Sequence, residues 1–517
     1  MNDPVALYAA AVGLALIAPR TVARLRLSLA KHPSLAGHPR TARRLARLLP
    51  AWEYGEDRFF DADHAGADVA ARRRAGFERL ATWFTEHYPR TLKATDQVRS
   101  AISDLRFTSH YRVPFQFSRH VRENLRMGAF MSGSDGCMIE DLDGNRFYDL
   151  TGSYGVNVFG HEFYKSCMAE AAERARGLGA VLGSYHPAVA ENVIRLQLIS
   201  GLDEVSFHMS GTEAVMQAVR LARYHTGRSH LVRFAGAYHG WWEDVQPGVG
   251  TPLPPHETYT LRDMDERALG ILRSRRDIAC VLVNPLQALH PNANAPGDSS
   301  LVHGRSATAF DRERYGEWLR RLREVCTERG IVLIFDEVFV GFRLARGGAQ
   351  EYFGVRADMV TYGKTLGGGF PVGVLCGRGD LMKRFRDDRP ADICFARGTF
   401  NAHPWVMTAM QTFLQRLDSP RIASIYDGLD ERWNKRAERF NAALTEARVP
   451  VRVANLSSIW TVGYTEPGRY HWMLQFYLKK HNLELSWVGT GRLIFSVDYP
   501  DADFDEVLRR FVAAATE

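Results

Sequence analysis

Between about residues 166 and 400, short apolar runs alternate with longer stretches whose apolar residues recur at helical spacing. Six runs are predicted to be strands: Val205–His208, Leu231–Phe234, Ile278–Val283, Ile331–Phe335, Met359–Tyr362 and Val372–Cys376. Ile331–Phe335 is apolar throughout, the pattern of a strand covered on both faces in a parallel sheet. Alternation of this kind predicts an α/β fold. Upstream, Cys137–Asp149 reads as a hairpin turning at Asp143-Gly144. Beyond about residue 420, helices and short strands are expected to close a second, smaller α/β unit, and the longest loop is expected at Gly297–Gly304.

Residues 1–104 differ: they are rich in Ala, Leu and Arg and read as helices broken at Pro19, Pro33, Gly37–Pro39 and Pro50. Val5–Ala18 carries no charge, but its length falls short of the ~18–20 residues that span a bilayer. Arg40–Leu49 places arginines on one side and Ala/Leu on the other. Two readings stand, a helix on a membrane surface and an appendage packing its apolar faces on the main body; packing is the favoured one.

Composition and charge narrow the picture. With 45% hydrophobic and 24% charged residues the chain is of the globular type, and its 517 residues suffice for roughly three domains. The net charge of +7 suggests a nucleic-acid binder, yet the excess lies wholly in residues 1–50, which hold eight Lys/Arg, one acid and a single aromatic, Tyr8. A stacking groove for nucleic acid is therefore not expected. Six scattered cysteines without a C-x-x-C pair argue against a disulfide framework or a zinc module and fit a reducing compartment. The start lacks the basic segment of a signal peptide, so a cytoplasmic location is expected. Glu140, Asp141 and Asp143 lack the ligand spacing of a calcium loop, and no metal site is predicted.

Ligands of open α/β sheets collect at the carboxyl ends of the strands. After the first run come Ser210-Gly211-Thr212-Glu213, a small-residue turn opening a helix, suited to a phosphate and equally to an ordinary N-cap. After the second comes Tyr238-His239-Gly240-Trp241-Trp242, suited to stacking on a flat heteroaromatic ring or to a core aromatic cluster. Asp336-Glu337-Val338 follows the fourth; a carboxylate there needs a cationic or hydrogen-bonding partner, such as a protonated pyridine nitrogen, or caps the next turn. Gly363-Lys364 and the glycines behind it follow the fifth. Lysine at a desolvated site can act as a Schiff-base nucleophile and proton shuttle, and the glycines come after it, which is not the order of a nucleotide-binding P-loop.

Taken in order, S-G-T-E-A, Y-H-G, D-E-V-x-x-G-F-R and G-K-x-L-G-G-G-x-P-x-G resemble the class III aminotransferases of the pyridoxal-phosphate fold-type I superfamily, most closely the glutamate-1-semialdehyde aminomutase branch. The resemblance spans roughly residues 110–515 and leaves out 1–104. It implies a large domain at 166–415 with a mixed, mostly parallel sheet, a smaller α/β domain built from 105–165 and 416–517, and an extra N-terminal helical region at 1–104. It also implies pyridoxal 5′-phosphate as cofactor. Lys364 matches the Schiff-base lysine, Asp336 the partner of the ring nitrogen, and Val338 the residue on the ring face opposite Tyr238. Ser210, Gly211 and Thr212 match the phosphate turn, with His239 beside the cofactor. Gly398-Thr399 matches a segment that reaches the neighbouring subunit's phosphate, which implies a homodimer. Ser153-Tyr154-Gly155 resembles the segment lining the substrate side.

Three departures bear on substrate. Gln116 stands where aminomutases hold the substrate carboxylate with arginine; Arg112 and Arg119 are alternative anchors. Val488–Arg492 lacks the acid of the family segment, and Asn284-Pro285-Leu286-Gln287 has Asn for Glu. Gln116, Ser153, Tyr154 and Trp242 are expected at the substrate pocket, with Phe115 and Phe117 adding apolar lining. The expected activity is amino transfer to a long-chain or carrier-bound carbonyl compound. The alternatives are an aminomutase with a rearranged carboxylate clamp and a non-catalytic binding protein of the same fold.

Overall fold

A computed structural model of the chain describes residues 4–31, 48, 53–106, 113–245, 257–289, 311–466, 468–485 and 492–517. Its centre is a seven-stranded sheet of β1 (Glu204–His208), β2 (His230–Phe234), β3 (Thr258–Leu261), β4 (Ile278–Val283), β5 (Val332–Asp336), β6 (Met359–Gly363) and β7 (Gly373–Gly377), ordered β1-β7-β6-β5-β4-β2-β3. All neighbours are parallel except β7, which runs antiparallel to both β1 and β6. Every residue of β4 is buried, as its unbroken apolar run requires. The fourth predicted run starts one residue later than expected and includes Asp336, which pairs with Thr361 across the sheet.

The helices begin and end where local chemistry dictates. Ser210 caps Gly211–Thr226 and Gly227, at φ 66°, ends it; Asp311 and Gly330 do the same for Arg312–Arg329. Tyr315, Trp318, Leu319 and Leu322 of the second helix join the strands in one apolar core, which continues through Trp433, Trp460, Phe495 and Phe504. A three-stranded antiparallel sheet (Val451–Leu456, Ile459–Tyr464, Arg492–Ile494) and a four-stranded sheet surround the centre. The latter comprises Met131–Asp135, the predicted hairpin as Met138–Asp141 and Arg146–Asp149, and Leu483–Glu484. The six cysteines are unpaired.

Residues 53–99 fold as helices Glu56–Phe60, Ala67–His87 and Pro89–Arg99. Phe59, Phe60, Phe77, Leu80, Phe84 and Leu92 form a second apolar cluster with Phe147, Trp472, Met473 and Phe476. The hairpin acids are the docking point. The Asp143 carboxylate accepts from the backbone N–H of Arg90 and of Thr91, each at 2.8 Å, capping Pro89–Arg99 from outside the helix. Asn145 Nδ2 donates to the carbonyl of His87 at 2.8 Å, and Asp141 Oδ1 accepts from the N–H of Asp143 and of Asn145. For this part of the N-terminal region the packing reading holds.

Phe117 corrects an expectation. Instead of lining a pocket it is 1% exposed inside this second cluster, edge-on to Tyr54 (5.0 Å between centroids) and Phe59 (5.4 Å). Helix Phe115–Asn124 turns that face toward the N-terminal layer.

The first helix, Pro4–Ala30, runs through Pro19, which was expected to break it. A proline in an exposed turn removes one hydrogen bond whose freed carbonyl faces solvent, a cost a long helix absorbs. Its end is tied to the body: Arg262 donates from N–H to the carbonyl of Ala30 (3.0 Å) and from Nε to that of Lys31 (3.1 Å). Among the described residues no helix is long and apolar enough to cross a membrane. Arg40–Ala46, Gly297–Gly304 and Val488–Gly491 lie outside the described residues.

Candidate active site

The carboxyl end of β5 delivers Asp336 into the interior, 3% exposed. Its Oδ2 lies 2.8 Å from His239 Nδ1; its Oδ1 accepts from the N–H of Val338 and from Thr361 Oγ1, both at 3.2 Å. Three hydrogen-bond partners thus hold the carboxylate in one orientation. Burial lowers the pKa of His239 against the opposing pull of Asp336, so the imidazole is neutral and its Nδ1–H donates. His239, expected among the stacking groups, serves here as the support behind Asp336.

At the end of β6, Lys364 has φ 48°, a left-handed conformation that costs energy for a side chain with a Cβ and recurs at functional sites. Burial lowers its pKa, the charge of Asp336 opposes this, and the guanidinium of Arg343 adds to the lowering. Lys364 Nζ lies 5.1 Å from the ring centroid of Phe339. An amine removed from water gives up its proton more readily and so becomes a better nucleophile.

Ser210 Oγ accepts from the N–H of Glu213 (3.3 Å), while the Glu213 carboxylate accepts from the N–H of Met209 (3.0 Å). The first N–H groups of the helix, Gly211 and Thr212, have no intrahelical acceptor and face forward as an anion site. Gly211 is forced by packing, because a Cβ there would sit 2.7 Å from Val338 Cγ1. The phosphate turn and Val338 are therefore packed side by side, so that one flat cofactor could reach both. Tyr238 is half-exposed, and Asn284 Nδ2 donates to its carbonyl at 3.0 Å. Asn284, with Gln287 donating to the carbonyl of Ala235 at 2.5 Å, pins the Tyr238 loop; this is what the Asn-for-Glu departure does.

On the other side of Lys364, Gly152, Ser153, Tyr154 and Gly155 all have positive φ (51°, 46°, 56° and 94°). A left-handed turn through two residues with side chains is strained, and a buried chain holds it. Thr151 Oγ1 accepts from the N–H of Ser153 (3.0 Å) and donates to Asp149 Oδ1 (2.6 Å), while Asp149 Oδ2 meets His161 Nε2 at 3.1 Å. A Cβ on Gly155 would strike the Phe339 ring at 2.7 Å, so the turn lies flat against the residue that flanks the lysine.

The remaining expected pocket residues are placed elsewhere or apart. Gln116 sits on the helix that packs into the N-terminal layer, where its carbonyl accepts from the N–H of Tyr54 (2.9 Å). Trp242 packs on the apolar cluster that includes Val215, Val219 and Val245. Thr399 is exposed on the surface. Sequence reading did not single out Thr361 or Phe339. Thr361 precedes Lys364 by three positions on the same strand, a spacing that alone says little about a partner on β5.

This fold and this convergence of Lys364, Asp336 and an anion-binding helix start define a fold-type I pyridoxal-phosphate-dependent transferase. The family model described as aminotransferase class-III matches residues 120–244 and 312–457, and the chain belongs to that family. Two relatives are glutamate-1-semialdehyde 2,1-aminomutases. That of Hydrogenobaculum sp. is 32% identical over 349 residues, covering 64% of this chain and 76% of the relative. That of Geotalea daltonii is 33% identical over 362 residues, covering 66% and 78%. Among solved structures, a β-phenylalanine aminotransferase from Variovorax paradoxus superposes with a TM-score of 0.65 at 25% identity, covering 85% of this chain and 96% of the other. A glutamate-1-semialdehyde aminomutase from Pseudomonas aeruginosa reaches 0.68 at 19% identity, covering 86% and 98%, which speaks to the fold. The protein is a pyridoxal-phosphate-dependent aminotransferase or aminomutase, and the residues described above fit that cofactor.

Proposed function

We propose that this enzyme transfers an amino group to a long-chain or carrier-bound aldehyde or ketone of largely apolar character, with Lys364 and Asp336 as its catalytic residues. The observation that carries this reading is the wall beside the lysine: Phe339 lies 5.1 Å from Nζ, with the Gly152–Gly155 turn flat against its ring. An apolar surface at that point favours a hydrocarbon body. The second reading, an intramolecular aminomutase, draws on the relatives at 32–33% identity, which are glutamate-1-semialdehyde 2,1-aminomutases.

The bound cofactor supplies an electron-accepting ring that lowers the cost of breaking a Cα–H bond. Asp336, fixed by His239 and Thr361, would face the ring nitrogen and favour its protonated form. Gly211 and Thr212 would hold the phosphate with Ser210 beside them, and Val338 and Tyr238 would confine the ring. Lys364, when its amine is free, would take a proton from the substrate Cα. The left-handed turn at Ser153 and Tyr154 borders the space where the substrate body lies, with Gln116 and Trp242 farther out.

The enzyme is proposed to act as a homodimer in the cytoplasm, with the large unit at 166–415, the small unit at 105–165 and 416–517, and the helical addition at 1–104. Support for the dimer is an exposed apolar surface at Val181, Tyr185, Ile393, Phe395 and Phe400, next to Thr399. Arg397 joins the two segments, donating to the carbonyl of Gly183 at 3.2 Å. Peripheral membrane contact through residues 1–50 is supported by the exposed Ile17, Val22, Leu25 and Leu29 alongside Arg20, Arg24 and Arg26. Co-sedimentation with anionic vesicles, with and without residues 1–50, tests it.

The functional reading is tested by loading the enzyme with amine and presenting single acceptors. Long aliphatic aldehydes, ketones and keto-thioesters should discharge it, and discharge by glutamate-1-semialdehyde alone would establish the aminomutase instead. A protein that takes up no cofactor would be the non-catalytic binder.

A further inference from the structure

Arg343 is among the most deeply enclosed side chains of the molecule, 0% exposed, and its hydrogen-bond partners among the described residues include no carboxylate. A buried cation without a counter-ion is costly. Burial pulls it down to about 10, which still leaves it charged at neutral pH. Its three bonds reach three separate parts of the chain. Nη2 donates to the carbonyl of Asn157 (3.0 Å); Nη1 donates to Ser458 Oγ (2.9 Å) and to the carbonyl of Phe495 (2.5 Å).

Each contact leads to the site. Asn157 closes the left-handed turn, since its N–H donates to the carbonyl of Gly152 at 3.0 Å. Ser458 and Phe495 bond to each other, the N–H of Phe495 donating to the carbonyl of Ser458 at 3.0 Å, and the next residue back, Ile494, donates its N–H to Leu150. Arg343 itself ends the segment that starts at Asp336 and carries Val338 and Phe339. One guanidinium therefore fixes the substrate-side turn and the C-terminal strands onto the cofactor-side segment.

The same charge acts on the lysine. The charged groups that face Lys364 are the Asp336 carboxylate, which favours its protonated form, and Arg343, which disfavours it. Tyr164 approaches from helix His161–Ala175 through its hydroxyl contact with Thr365, and Tyr164 and Tyr426 are the titratable neighbours of Arg343.

We propose that Arg343 is a positioning residue for the reaction: its guanidinium locks the Gly152–Gly155 turn and the Ser458–Phe495 pair against the Asp336–Arg343 segment and sets a fixed positive charge on the side of the site that holds Lys364. This rests on the reading that Lys364 carries the cofactor.

The test is the rate at which apoenzyme captures added pyridoxal 5′-phosphate, followed by absorbance as a function of pH, together with thermal unfolding. Arg343→Gln should move the inflection of the capture rate to higher pH than in the wild-type enzyme, because a positive charge that disfavours the protonated amine is removed. Arg343→Lys should leave it in place while lowering the melting temperature, because an ammonium lacks the fork that reaches Asn157 from one nitrogen and Ser458 and Phe495 from the other. If Arg343→Gln fails to fold, Ser458→Asp keeps the guanidinium but sets an opposing charge beside it, and the inflection should again rise. An unchanged inflection in a folded Arg343→Gln or Ser458→Asp enzyme overturns the proposal. Covalent cofactor capture by Lys364→Ala would instead overturn the reading on which it rests.

Discussion

His239 Nδ1 lies 2.8 Å from Asp336 Oδ2, with both side chains out of water. The bond crosses 97 positions of sequence and sets the orientation of the one carboxylate at the end of β5. A charge-assisted hydrogen bond of this kind is worth roughly 1.5–3 kcal/mol. His239→Ala should accordingly lower kcat/KM by about ten- to a hundredfold, and His239→Gln, which still offers a donor, should recover part of the loss. Since burial keeps the imidazole neutral, the wild-type pH–rate profile should show no inflection from this residue in the ordinary histidine range. A profile inflection near 6.5 that vanishes in His239→Gln would contradict the assignment.

Asp336→Asn should preserve folding, because Asn can keep the hydrogen bonds from Val338 and Thr361, yet lose the charge. The expected loss is about a hundredfold or more in kcat, measured in single turnovers with saturating cofactor.

Gly211→Ala tests the phosphate turn without touching a charged group. The added methyl meets Val338 Cγ1 at 2.7 Å, and relief requires moving the helix start or the ring-facing valine. Overpacking of this sort costs roughly 1–3 kcal/mol. Cofactor affinity by equilibrium dialysis should weaken about tenfold or more, with the secondary structure seen by circular dichroism unchanged.

Asp143 tests the docking of the N-terminal helices. Burial works to raise its pKa, but hydrogen bonds from Thr91 and Arg90 outweigh this and hold it below the ordinary carboxylate value. A depressed folded-state pKa means that this contribution is present above the unfolded value and is lost as pH falls through the folded one. Asp143→Ala should loosen helix Pro89–Arg99 by about 1 kcal/mol. Faster amide exchange confined to residues 53–99 at neutral pH, with the difference from wild type shrinking in acid, is the expected result.

The apolar surface around Thr399 makes a separate prediction. Phe395→Asp together with Tyr185→Asp should convert a dimer into monomers in size-exclusion chromatography with light scattering, and should weaken cofactor retention.

The strands of the central sheet were legible because burial on both faces leaves no room for polar residues, as in Ile278–Val283. Thr258–Leu261 escaped notice because an edge strand tolerates alternate threonines. The ends of the strands named Lys364, Asp336 and the Ser210 turn, since chemistry placed there is local in sequence. Contacts that depend on distant partners were not legible. Nothing near His239 says that it faces Asp336, and nothing near Phe117 says that its helix turns it toward Phe59 and Trp472. The same limit hid the use of Asp141 and Asp143 as a dock, because the helix they receive lies some fifty residues upstream.

The central claim is that Lys364 holds the cofactor at the end of β6. Borohydride reduction of the loaded enzyme followed by peptide mass mapping tests it most directly. The account predicts that the yellow enzyme bleaches, that the cofactor's mass is found on the peptide containing Lys364, and that Lys364→Ala acquires no such mass. Cofactor mass on another lysine, or equal labelling of Lys364→Ala, would contradict it.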